Sequence, residues 1–164
     1  MPIDVTQTYA ADPDRVLAVL TDEQFLREFA QALEAQVEEV SSRRDGASTR
    51  TSLRMAAPTT GIPPVFARFV GRTVPVLDVH TWTADDAGGH RATLDVRAEI
   101  MGRTAVVTGE RRLLPVDGGT RATVTGDVRV DAPIIGRQAE SAVQELVTAV
   151  VLRREHETLL RRLG

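Results

Sequence analysis

The sequence predicts an α+β domain: a curved, seven-stranded antiparallel sheet wrapped around a long C-terminal helix. Three observations predict it. Apolar residues alternate with polar ones from about residue 35 to 131, Gly-rich pairs punctuate that stretch, and one broad apolar stripe at helical spacing follows Ala132-Pro133. Strict alternation gives each strand one buried and one wet face, the pattern of antiparallel rather than parallel sheet. The expected element order is β-α-α-β6-α with a short helical insert near 62–70, all 164 residues forming one domain.

The elements follow in chain order. Ile3, Val5 and Tyr9 alternate and predict a strand over 2–10. Asp12-Pro13 starts a helix, with Asp as N-cap and Pro in the first helical position, and Val16, Leu17 and Leu20 share one face. Thr21 with Gln24 three residues on resembles a capping box for a second helix, whose stripe is Phe25, Phe29 and Leu33. Strands are expected near 36–44, 47–57, 73–83, 91–100, 104–115 and 121–131, turning at Asp45-Gly46, Gly88-Gly89, Met101-Gly102 and Gly118-Gly119. After a Pro pair, Phe66, Phe69 and Val70 stand at helical spacing and predict the insert, closed by Gly71. The last helix is expected from Ile134 to Leu163, its stripe running through Ile135, Ala139, Ala142, Val143, Leu146, Val147 and Val150.

Composition excludes several chemistries. The chain has no Cys, no Lys and no Asn, so its 20 basic residues are all Arg. Without Cys there are no disulfides, thiol nucleophiles or Cys-based metal sites. Without Lys there is no Schiff base and no P-loop. Without Asn, Gly is left to take nearly every left-handed backbone position. The net charge of -3 supplies no basic face for nucleic acid. No signal-peptide pattern opens the chain and no stretch approaches the roughly 20 apolar residues of a membrane span. The expectation is a cytoplasmic protein without stable membrane insertion.

Ile62-Pro63 leading into Phe66-Ala67-Arg68-Phe69-Val70-Gly71, with Trp82 about ten residues on, is similar to an uncharacterised bacterial family within the START-like superfamily. The element order resembles the helix-grip fold of that superfamily, which includes the birch-pollen-allergen and polyketide cyclase/dehydratase types. This resemblance covers essentially the whole chain. It implies a cavity between sheet and helix for a sterol, lipid, polyketide or plant hormone. It carries over no catalytic residue.

The expected concave face is built of small side chains: Ala92, Ala98, Ala122 and Gly126 on the sheet, with Ala139, Ala142 and Ala149 on or near the helix. Either the helix sits very close to the sheet or an apolar space remains. Adjacent strand residues point to opposite faces, so one of Arg111 and Arg112 must point inward, opposite Gly126 by the expected turn. A buried guanidinium needs a partner. That partner is a ligand carboxylate or phosphate, or a structural acid such as Asp78 or Glu110, unless the head reaches solvent at the sheet rim. His80 and Trp82, two apart, share a face and read either as site groups for acid–base chemistry or as a packed Trp with a satisfied His. His90 reads as solvated beside its turn. Glu155-His156-Glu157 is a poor metal site, because helix neighbours do not share a face. Phe66 and Phe69 read as a lid over one end of the groove, as core, or as an outward-facing patch.

The leading expectation is a non-catalytic carrier of a hydrophobic small molecule, with no cofactor and no metal. Phe66, Phe69, His80, Trp82, Val96, Ala98, Arg111, Arg112, Gly126, Leu146 and Val150 are expected to line its site. A cyclase or dehydratase in the same cavity, and a protein–protein adaptor with a filled core, are the alternatives. A homodimer is compatible with the sequence.

Overall fold

The computed structural model describes residues 1–60, 64, 71–100 and 102–164. The insert expected at 62–70 lies, Pro64 apart, outside them, and so do Phe66, Phe69 and Met101. The chain runs β1 (Pro2–Tyr9), α1 (Pro13–Leu20), α2 (Glu23–Ala32), β2 (Gln36–Asp45), β3 (Ser48–Pro58), β4 (Thr73–Ala84), β5 (His90–Ile100), β6 (Arg103–Val116) and β7 (Gly119–Val130). It ends in α3 (Gly136–Leu146), a π-helical turn (Val147–Val151) and α4 (Leu152–Leu163). The seven strands form one antiparallel sheet in the order β1-β7-β6-β5-β4-β3-β2, a six-strand meander closed by β1.

Local chemistry explains the joints. The Asp12 carboxylate accepts the Arg15 N–H at 2.8 Å and caps α1, with Pro13 in the first turn. The N-cap of α2 is Asp22, not Thr21: Thr21 ends α1, where its hydroxyl donates to the Leu17 carbonyl at 2.8 Å. Two capping residues stand side by side here, and the one with a carboxylate takes the helix start. Among described residues outside glycine only Glu34 has positive φ (58°), at the exit of α2. In a chain without Asn, Glu accepts a conformation that costs roughly 1–2 kcal/mol.

The β6–β7 turn departs from the sequence expectation. Val116 pairs with Gly119, so Asp117-Gly118 forms the two-residue turn instead of Gly118-Gly119. Gly118, at φ +81°, takes the left-handed second position of the turn, while Asp117 keeps a negative φ. The register therefore sets Gly126 opposite Gly109, and Arg111 opposite Val124.

The concave face is filled unevenly. At the α4 end, Val16 of α1 and Phe25 and Phe29 of α2 join Leu53, Trp82, Leu113 and Leu159 in one apolar cluster. A second cluster, Ile3, Leu94, Val107, Val128 and Leu152, receives Val143 and Val147 from the helix. Yet α3 and the π turn contain no fully buried residue. Ile135, expected in the apolar stripe, instead precedes the helix and is 40% exposed, while Ile134 is 92% exposed. Ala149 is exposed as well.

The terminal helix is not one uninterrupted α-helix. In the π turn the Thr148 hydroxyl donates to the Gln144 carbonyl at 2.9 Å, and Arg153 Nε donates to the Ala149 carbonyl at 3.0 Å. A π turn adds one residue to the helix without advancing its inner face by a full α-helical step. Up to its first residue, Val143 and Val147 pack on the sheet; after it, Leu152 and Leu159 do.

Candidate functional site

Three alternate residues of β4, Asp78, His80 and Trp82, point into the concave face beside Arg111 of β6. Trp82 and Arg111 belong to one cross-strand row, Trp82–Ala92–Arg111–Val124–Val5, and only the Ala92 methyl separates them. His80 belongs to the next row, His80–Leu94–Gly109–Gly126–Ile3. Its ring lies 6.4 Å from the Trp82 ring in an edge-on arrangement.

Arg111 is the inward arginine, 6% exposed, and its guanidinium is paired with Glu155 of α4. Burial opposes its charge, but the Glu155 carboxylate, reinforced by Asp78 and Tyr9, outweighs burial and holds it protonated. The acid that the sequence reading sought in a ligand, Asp78 or Glu110 is thus supplied by the helix. Arg112 points outward and binds Asp85 through two bonds of 2.8 and 3.0 Å. That fork, with the Ala87 N–H, pulls the Asp85 carboxyl down to about 2 and pins the β4–β5 turn. His90 also departs from expectation: it meets Asp14 at 2.7 Å and is mostly buried.

Two further groups complete the patch. The Tyr9 hydroxyl lies 2.9 Å from His156 Nδ1, with the rings 5.2 Å apart. Burial, and then Glu155, push the Tyr9 phenol above its ordinary range. Asp78 Oδ1 lies 3.5 Å from His80 Nε2 without the alignment of a hydrogen bond. Among the described residues Asp78 Oδ1, Trp82 Nε1 and Arg111 Nε are buried polar atoms with no hydrogen-bond partner. Most buried polar groups are paired, and leaving one unpaired costs about 1–3 kcal/mol.

Burial raises the Asp78 carboxyl to about 6, against the pull of Arg111. Burial, with Arg111 in the same direction, lowers His80 to about 3. The signs oppose. Asp78 binds its proton more tightly folded than unfolded, so it costs stability as pH rises from about 4 to 6. His80 must stay neutral, so it costs stability as pH falls from 6.5 toward 3. Asp78→Asn should therefore gain on the order of 1–3 kcal/mol at pH 8, a gain that vanishes near pH 4. Urea unfolding at the two pH values measures it, and an equal gain at both would refute the assignment.

The hollow at Arg111 is small. A cavity of about 30 Å³, lined by Val5, Gln7, Tyr9, Arg111, Leu152 and Glu155 among others, has room for one or two waters. Glu155 and the apolar cluster around Trp82 occupy this end of the concave face. What stays partly open lies toward α3. Val76 and Ala98 pair across β4 and β5, as do Asp78 and Val96, and all four are half-buried. Leu146 and Val150, also half-buried, flank the seam that Val143 and Val147 make with the sheet. The side chains of Asp78 and His80 keep 15% and 12% exposure. The structure thus brings His80, Trp82 and Arg111 together, sets Val96 and Ala98 beside them, and places Arg112 on the other face. Gly126 lies against Gly109, in the row next to Arg111.

Tyr9, Glu155, His156 and Gly109 were missed as site residues. Leu152, Glu155 and Leu159 stand three and four apart, a spacing that would have found Glu155 had the apolar stripe been extended past Val150. No three His, Asp or Glu among the described residues gather as a metal site, and no helix there is long and apolar enough to cross a membrane.

A family model described as "Protein of unknown function (DUF2505)" matches residues 4–163. The chain belongs to this family. Its fold is START-like. A crystal structure of a protein from Thermus thermophilus is similar to this DUF2505 chain over 100% of both chains, at 22% identity and TM-score 0.62. A START superfamily protein from Mycobacterium smegmatis is similar over 99% of this chain and 96% of its own, at 14% identity and TM-score 0.59. A conserved protein from Geobacillus kaustophilus is similar over 98% and 96%, at 13% identity and TM-score 0.58. No curated protein matches the DUF2505 chain.

Proposed function

We propose that this DUF2505 protein binds a largely apolar small molecule in the groove between β4–β5 and the α3–π-turn segment, without transforming it. The observation that carries this reading is the incomplete burial of the helix's apolar stripe: α3 and the π turn bury no residue fully, and Val143, Leu146, Val147 and Val150 are all only half-buried. A START-like fold supports hydrophobic ligand binding in general. In the proposed site Val96, Ala98, Leu146 and Val150 form the walls, with His80 and Trp82 at the inner end.

Nile red, an uncharged apolar dye, tests the site. It should bind saturably, and Leu146→Glu should weaken it at least tenfold with little change in thermal stability, because the new carboxylate would be desolvated by the dye. Absence of saturable binding, or indifference to Leu146→Glu, overturns the reading. The cyclase or dehydratase alternative draws on one group, the Asp78 carboxyl raised to about 6, while burial moves His80 and Tyr9 away from the neutral range where acid–base catalysts work. The adaptor alternative draws on one observation, the exposed Ile134 and Ile135 at the start of α3.

A further inference from the structure

We infer that the polar end of the bound molecule is an uncharged hydrogen-bond acceptor, a ketone or ester carbonyl, and not a carboxylate or phosphate. This rests on the binding reading above and concerns the inner end of the same groove.

Charge comes first. Among the described residues, the charged and titratable groups on the elements around the patch are Tyr9 from β1, Asp78 and His80 from β4, Arg111 from β6, and Glu155 and His156 from α4. The inward residues of β7 at this level, Ala122, Val124 and Gly126, carry no charge. The single permanent cation of that set is Arg111, and Glu155 already neutralises it. Asp78 adds negative charge whenever it ionises. An entering anion would have to displace Glu155 from Arg111 inside a dry interior, where like charges repel strongly.

Two of the patch's three unpaired atoms are donors and one, Asp78 Oδ1, is an acceptor, so donors predominate. Trp82, 2% exposed, and Arg111, 6% exposed, each keep an N–H without a partner among the described residues. An indole offers only a donor, and so does a guanidinium. The two stand on either side of Ala92 in one cross-strand row, the smallest wall residue between the two largest polar ones. A carbonyl oxygen has two lone pairs and no charge to desolvate, so it can answer an indole or a guanidinium N–H without disturbing the Arg111–Glu155 pair. A plain hydrocarbon would leave both unanswered.

Displacement of Nile red at pH 8 by three probes of equal chain length, a medium-chain methyl ketone, the corresponding fatty acid and the corresponding alkane, decides the matter. The ketone should displace the dye at a concentration at least tenfold below the fatty acid and about fivefold below the alkane. Trp82→Phe, with folding checked by its thermal melt, should remove most of the ketone's advantage, read as the ratio of ketone to alkane displacement in that same variant. A fatty acid that competes as well as the ketone, or a ketone no better than the alkane, overturns this inference while leaving the groove intact. Failure of all three probes overturns the binding reading and this inference with it.

Discussion

Glu155→Leu is expected to lower the unfolding free energy by about 3–5 kcal/mol, because it strands the Arg111 guanidinium in the interior. Domains of this kind are typically stable by about 5–15 kcal/mol, so the variant should sit close to the edge of folding. The loss belongs to the orphaned charge more than to the bond itself. Hence the double variant Arg111→Met/Glu155→Leu should recover most of it, since well-packed apolar pairs replace buried ion pairs at little cost. Urea denaturation of the parent, both single variants and the double variant closes the cycle. A Glu155→Leu effect under about 1 kcal/mol would mean that water reaches Arg111 and that the pair behaves as a surface one.

Gly109→Ala should be as damaging through a different mechanism. A Cβ built on Gly109 falls 2.0 Å from the Thr125 carbonyl oxygen and 2.6 Å from Gly126 Cα. These are backbone atoms of the neighbouring strand, so no rotamer change relieves the overlap. A Cβ on Gly126 meets the Thr108 carbonyl oxygen at 2.5 Å, the same close approach from the other strand. The β6–β7 ladder must open to admit the methyl group, at a cost of about 3 kcal/mol or more. For a domain of this size that is a fall in Tm of roughly 10 °C. Gly102→Ala is the control, since nothing lies within 4 Å of its added Cβ and only its φ of +72° is strained. It should cost about 1–2 kcal/mol. Circular dichroism melts of both variants test the claim, and a Gly109→Ala shift no larger than that of Gly102→Ala would show that the β6–β7 ladder yields to the methyl group at little cost.

Most of the architecture was legible because it rests on signals local in sequence. Alternation over 91–100 and 121–131, the Asp12-Pro13 helix start and the Gly-containing turns each speak for a few residues, and all seven strands lie close to their expected places. The errors arose where a decision spans two elements. Choosing between Asp117-Gly118 and Gly118-Gly119 needs only one residue of difference, yet it decides whether Arg111 or Gly109 lies across from Gly126. That Arg111 had to find a counter-charge was readable from strand parity. Its identity was not, because Glu155 lies 44 residues away, past the point where the apolar stripe was traced. The pairing of His156 with Tyr9 crosses 147 residues and leaves no local trace at all.

The extra residue in the π turn has an electrostatic consequence. If Val143 and Val147 were followed at unbroken α-helical spacing, the side chain brought to the sheet opposite Arg111 would be Arg154, not Glu155. Arg154 instead projects into solvent toward Glu157. One surplus residue thus determines whether the middle of this molecule holds a cation beside an anion or two cations face to face. The segment between Leu146 and Leu152 therefore counts residues as strictly as any turn in the sheet.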